Sequence, residues 1–129
     1  MQVYFSEQSA KTPFIEFDPN SGNFEMKGKS IPENTKGFYE PLFQWMDEYE
    51  QTPAPRTTFN VQLDYFNTSS AKVIVDFFKK LENLEKSGKG KVTINWHYDE
   101  DDGDMMEAGQ DYQSIIKVTF NLISFKQEE

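Results

Sequence analysis

Apolar and polar residues alternate along this chain with two different periods, and the period switches several times. Between Arg56 and Phe66 the apolar positions fall at every second residue (Phe59, Val61, Leu63, Tyr65), which predicts a strand with one buried face. From Ser70 to Ser87 they move to three- and four-residue spacing (Val73, Ile74, Phe77, Phe78, Leu81, Leu84), which predicts an amphipathic helix. Ser87-Gly88-Lys89-Gly90 is a glycine stop signal after it. The period of two then returns, with Val92, Ile94, Trp96 and Tyr98 on one side and Thr93, Asn95 and His97 on the other.

The flanking segments follow the same logic. Phe14–Asp18 and Asn23–Lys29 read as short strands joined by Asp18-Pro19-Asn20-Ser21-Gly22, a run of turn formers that predicts a hairpin. A first helix carries Phe38, Leu42, Trp45, Met46 and Tyr49, and Thr52-Pro53-Ala54-Pro55 ends it. Pro41 lacks an N–H, so the regular helix is expected to start close to it or to have a distorted first turn. Asp99–Asp104 predicts an acidic turn, Asp104–Tyr112 a short third helix and Lys117–Phe125 a last strand. Residues 1–13 are polar and predict a loose or edge extension.

The order β-β-α-β-α-β-α-β makes the later strands parallel neighbours joined by right-handed helical crossovers. A parallel sheet covered on both faces would read as continuous apolar runs, whereas these strands alternate. The helices therefore pack mainly on one face, and Asn60, Gln62, Asp64, Thr93, Asn95 and His97 line a more open one. The expected architecture is a two-layer α/β sandwich whose mixed sheet has about five strands, with about three helices, in one domain spanning residues 1–129.

Composition narrows the function. Twelve Phe, 6 Tyr and 2 Trp supply a core despite the polar average. The formal charge of −9 opposes nucleic-acid binding, which rests on phosphate neutralisation. The lysines at 79, 80, 86, 89 and 91 lie near a helix end, where cations complement the dipole. Absence of cysteine removes disulfides and thiolate metal sites. No apolar run reaches the length of a membrane span, so a cytoplasmic protein that does not enter membranes is expected.

The junction between the third strand and the second helix holds Asn67-Thr68-Ser69-Ser70, an amide and three hydroxyls in one turn. Such residues are the preferred helix caps, and capping alone accounts for them locally. The free N–H groups and dipole of a helix start also favour negative charge, so a phosphate on one of these hydroxyls would be held there. Catalytic chemistry is not suggested. His97 is the only histidine and has no Ser, Cys or second His near it in sequence. In the acidic run, taking Gly103 as the sixth residue of a calcium loop puts Tyr98 first and Gly109 twelfth, which fails the ligand pattern. The expectation is a non-enzyme without cofactor or metal.

Several segments together resemble the SiaC family of bacterial regulatory phosphoproteins. They are Ile31-Pro32-Glu33-Asn34, Phe38-Tyr39-Glu40-Pro41-Leu42 with Trp45, and Leu63-Asp64-Tyr65-Phe66-Asn67-Thr68-Ser69-Ser70. Trp96-His97-Tyr98-Asp99 and Met105-Met106-Glu107-Ala108-Gly109-Gln110-Asp111-Tyr112 complete the set. The resemblance implies a fold like that of the STAS (anti-anti-sigma) domains, with a phosphorylatable hydroxyl at the strand-to-helix turn. It implies Thr68 as phosphoacceptor, with Asn67, Ser69 and Ser70 shaping the turn; Ser69 is chemically competent too. It further implies a protein kinase of the histidine-kinase-like ATPase fold and a PP2C-type phosphatase as partners. The unmodified form would bind and activate an output protein such as a diguanylate cyclase, tying the switch to cyclic-di-GMP and biofilm regulation. Two other readings stay open on the residues alone: a small-ligand-binding module using the polar sheet face, and a constitutive adaptor without a covalent switch.

Overall fold

A computed structural model of the chain describes residues 1–127. Nine elements follow in order: β1 (Tyr4–Ser6), β2 (Phe14–Phe17), β3 (Asn23–Ser30), α1 (Thr35–Tyr49), β4 (Arg56–Phe66), α2 (Thr68–Lys86), β5 (Lys91–Asp99), α3 (Gly103–Ile115) and β6 (Thr119–Phe125). The strands form one six-stranded sheet in the order β1-β2-β3-β4-β5-β6. The first two pairings are antiparallel and the remaining three parallel. Because the order advances one strand at a time without reversal, crossovers of a single hand put α1, α2 and α3 on the same face. The expected α/β sandwich is therefore the observed one, with one strand more than expected.

That extra strand is β1, so of the two readings of the N-terminal segment, loose or an edge extension, part of it takes the second. Its three residues pair with β2, and Trp45 Nε1 donates to the Gln2 carbonyl at 2.8 Å to hold it down. The β2–β3 hairpin turns at Gly22, whose φ of 75° is open to glycine. A Cβ there would stand 2.0 Å from the Arg56 carbonyl oxygen.

Between sheet and helices lies an aromatic core. Phe17, Phe24, Phe59, Phe78 and Trp96 are all buried, and Phe17 stacks on Phe24 with ring centroids 4.3 Å apart. Burial of side chains this large is the main favourable term in a chain of this size. Trp96 Nε1 reaches the Met105 carbonyl at 3.0 Å, so its one polar atom is satisfied. Gly109 of α3 lies flat against the same indole, and a Cβ at that position would come within 2.5 Å of Trp96 Cδ1.

Three local expectations are corrected. Tyr65 does not continue the buried face of β4. Leu63 pairs with Gly28 but Tyr65 with Lys29, so Asp64 is an extra residue that reverses the alternation. Tyr65 is thus exposed, and Phe66 turns inward onto Trp96. Secondly, α1 begins well before Pro41, at Thr35, because Asn34 Oδ1 caps it by accepting from Gly37 N at 3.0 Å. Thirdly, α2 starts at Thr68 rather than Ser70, and α3 runs to Ile115.

Candidate functional site

The Asn67–Ser70 turn lies where β4 hands over to α2. Asn67 has extended backbone and is the N-cap: its Oδ1 accepts from Ser70 N at 2.9 Å. Its own N–H donates to the Ser30 carbonyl at 3.1 Å, which anchors the turn to the end of β3.

The three hydroxyls meet different fates. Ser70 is fully buried, and its Oγ accepts a hydrogen bond from Ser30 Oγ at 2.8 Å. Ser30 Oγ in turn lies 2.5 Å from the Tyr39 hydroxyl, so a buried chain of hydroxyls joins α2, β3 and α1. Burial pushes the Tyr39 phenol up to about 12, partly offset by the bond to Ser30. Ser69 is exposed but committed: its Oγ donates to Asn67 Oδ1 at 3.1 Å and lies 2.7 Å from Thr35 Oγ1, linking the first turns of α2 and α1. Thr68 is exposed and opens the helix, and its Oγ1 makes no hydrogen bond to the other described residues.

The two helix starts that meet here carry no negative charge of their own, while Asp64, Asp99, Asp101, Asp102 and Asp104 line a recess at the same end of the sheet. Neither α1 nor α2 has an acidic residue in its first turn, although acidic residues are favoured there. Lys72 stands one helical turn beyond Thr68, on the same exposed side. Glu33, ahead of α1, is paired with Lys11 at 2.8 Å, which holds its carboxyl below the usual range. The turn therefore offers an accessible hydroxyl beside two helix N-termini, the arrangement in which a dianion is tolerated without refolding.

Other candidate features resolve into structure. Asp102 Oδ1 caps α3 by accepting from Met105 N at 3.0 Å, and Asp99 Oδ1 accepts from Asp101 N at 2.8 Å. Among the described residues no group of acidic side chains or histidine is arranged to hold a metal. On the open sheet face Asn60, Asn95 and Asn121 form a hydrogen-bonded row with contacts of 3.0 Å. His97 Nε2 lies 3.2 Å from Asn60 Oδ1. Desolvation lowers the His97 pKa, opposed by Glu25 and assisted by Lys27. A shallow recess of about 300 Å³ borders His97, Asn60 and Gln62. Among the described residues no helix is long and apolar enough to cross a membrane.

Sequence reasoning missed Ser30, Tyr39 and Thr35 as partners of the turn. Each stands more than thirty residues from its serine partner in α2 or reaches it through Ser30, so no local pattern could reveal it.

Comparison with known proteins bears on the family and the fold. The sequence pattern of the SiaC family of regulatory phosphoproteins matches residues 6–125. An uncharacterised protein of Pseudomonas aeruginosa (strain UCBPP-PA14) is 28% identical over 109 residues, covering 84% of this chain and 86% of its own length. Apo-SiaC from Pseudomonas aeruginosa superposes with a TM-score of 0.86 at 25% identity, covering 95% of this chain and 99% of that one. The same fold recurs, with a TM-score of 0.88 at 24% identity, in the crystal structure of the diguanylate cyclase SiaD in complex with its activator SiaC; the match covers 95% of this chain and 99% of that one. With the family pattern spanning nearly its whole length, this chain belongs to the SiaC family of regulatory phosphoproteins.

Proposed function

We propose that this protein is a partner switch whose unmodified form binds and activates a diguanylate cyclase, and whose reversible phosphorylation on Thr68 releases it. Membership in a family of regulatory phosphoproteins makes the chain a regulator and not an enzyme. The activator role is carried over from SiaC of Pseudomonas aeruginosa, which is described in complex with SiaD as its activator. A protein kinase of the histidine-kinase-like ATPase fold adds the phosphate and a PP2C-type phosphatase removes it, in the cytoplasm.

The observation that supports this best is the difference among neighbouring hydroxyls. Thr68 Oγ1 is exposed and unbonded, Ser69 Oγ is held by Asn67 and Thr35, and Ser70 Oγ is sealed in the core. A modifying enzyme needs the first kind. Phosphorylation adds about −1.5 to −2 charges and strong acceptor oxygens. Burying that group against a partner without matching cations is costly, so the partner leaves. The exposed helix start accommodates the phosphate without a change of fold.

The test is phosphosite mapping by mass spectrometry after incubation with the kinase from the same organism. Wild type should carry one phosphate on Thr68, and Thr68→Ala should carry none while keeping its fold. Full labelling of Thr68→Ala, or modification confined to Ser69, would remove Thr68 from the mechanism.

A further inference from the structure

Thr35 reaches the Asn67–Ser70 turn from a different helix. Its Oγ1 lies 2.7 Å from Ser69 Oγ, across 34 positions of sequence. Counting protons fixes the direction of that bond. A serine hydroxyl has one proton to give, and Ser69 gives it to Asn67 Oδ1 at 3.1 Å. The proton between Ser69 and Thr35 is therefore the Thr35 one, donated to a lone pair of Ser69 Oγ. Ser69 is thus engaged twice, as donor to Asn67 and as acceptor from Thr35.

A hydroxyl that takes a phosphoryl group needs both of those functions free. Its lone pair attacks the γ-phosphorus of the nucleoside triphosphate held by the kinase. The new O–P bond forms as the bond to the diphosphate leaving group breaks, and the hydroxyl proton passes to a base on the kinase. Thr68 Oγ1, with no hydrogen bond to the other described residues, meets both conditions. Ser69 is also exposed and one residue away, yet meets neither. Exposure alone does not separate the two hydroxyls; their bonds do.

We propose that Thr35 is a positioning residue that makes the turn a single-acceptor site, by holding Ser69 out of the phosphoryl transfer. This role rests on the partner-switch reading above and adds what selects the hydroxyl. Asn67 holds Ser69 as well, but its Oδ1 also accepts from Ser70 N and caps α2, so it belongs to the helix itself. Thr35 carries no such duty. Asn34 caps α1 through Gly37 N, and Ser69 is the one side-chain hydrogen-bond partner of Thr35 among the described residues. Without the Thr35 hydroxyl, Ser69 keeps one bond of two. Its lone pair then faces solvent, and turning its side chain toward a kinase breaks a single hydrogen bond.

The experiment measures where the first phosphate goes. Full-length wild type, Thr35→Val and Thr35→Ser are incubated with ATP and the kinase of the same organism, and phosphate on Thr68 and on Ser69 is quantified by mass spectrometry at early times. Valine keeps the β-branch and removes the hydroxyl; serine restores the hydroxyl. Neither helix loses its cap in these variants, and circular dichroism confirms the fold. The ratio of Ser69 to Thr68 phosphate should rise about three- to tenfold in Thr35→Val, the scale of one hydrogen bond, and stay at the wild-type value in Thr35→Ser. The Thr35→Val/Thr68→Ala double variant should gain phosphate on Ser69, where Thr68→Ala alone carries none. A ratio in Thr35→Val within about twofold of wild type, or a double variant without phosphate, overturns the role of Thr35 and leaves Thr68 as the acceptor. Loss of all phosphate from a folded Thr35→Val also overturns it, since Thr35 would then serve recognition by the kinase. A wild type without phosphate on Thr68 overturns the partner-switch reading and this role together.

Discussion

Ser30 Oγ donates to Ser70 Oγ at 2.8 Å, tying the last residue of β3 to the first turn of α2 inside the core. With Tyr39 at the far end of the chain, the bond locks the start of α2 against both the sheet and α1. The exposed Thr68 is therefore carried on a rigid mount. Replacing Ser70 with Ala leaves the Ser30 hydroxyl without its acceptor in a buried place. The expected loss is about 1–3 kcal/mol, the cost of an unsatisfied buried group. Urea unfolding checks this, with Thr68→Ala as control, for which a change within about 0.5 kcal/mol is expected at an exposed position. Equal midpoints for the two variants would show that the buried chain of hydroxyls adds no stability.

Gly109→Ala separates helix propensity from packing. Alanine is the better helix former by about 1 kcal/mol. At Gly109, however, its methyl would meet Trp96 Cδ1 at 2.5 Å and Nε1 at 2.7 Å, and a fully buried indole has nowhere to retreat. Overpacking should win, destabilising by about 1–3 kcal/mol and disturbing the near-ultraviolet signal of Trp96. A gain in stability would mean that α3 can lift off the sheet at no cost.

Alkaline pH should weaken the fold through its buried phenols. Tyr39 and Tyr112 are both pushed up to about 12, in each case chiefly by burial. Their folded values exceed the unfolded one near 10, so the folded state keeps its protons longer. The associated stability is complete below pH 10 and is lost as pH rises from about 10 to about 12. For Tyr39 alone the loss is of order 2 kcal/mol. Urea midpoints at pH 8, 10 and 11 together with phenolate absorbance read it out; midpoints that do not move above pH 10 would contradict it.

Below neutrality, His97 supplies a smaller effect of defined sign. Its pKa is lowered, mainly by desolvation, so the folded state disfavours the charged ring. Stability linked to His97 is present above the unfolded value near 6.5 and declines as pH falls through the lower folded one. His97→Asn should flatten the stability profile between pH 7 and 5, and nuclear magnetic resonance titration of the ring should give a midpoint below that of a free imidazole.

Much of this architecture was legible from side-chain period. The β4–α2–β5 unit declared itself because Phe59, Val61 and Leu63 alternate while Ile74, Phe77, Leu81 and Leu84 follow a helical spacing. Tyr65 misled because period two assumes an unbroken ladder, and the extra Asp64 is visible only from its pairing with β3. β1 is too short to show alternation and owes its place to β2 and Trp45. At the site, the local sequence identified the turn and its cap but could not rank the hydroxyls. That ranking depends on Ser30, Tyr39 and Thr35, which the fold brings in from elsewhere in the chain.

The central claim concerns what a phosphate on Thr68 does to the partner. Its most direct test is cyclase activity of the SiaD-type enzyme titrated with this protein in four forms: unmodified, phosphorylated, Thr68→Ala and Thr68→Asp. The unmodified and alanine forms should activate alike, the phosphorylated form should not activate, and the aspartate form should fall between. Equal activation by the phosphorylated and unmodified proteins would contradict the account.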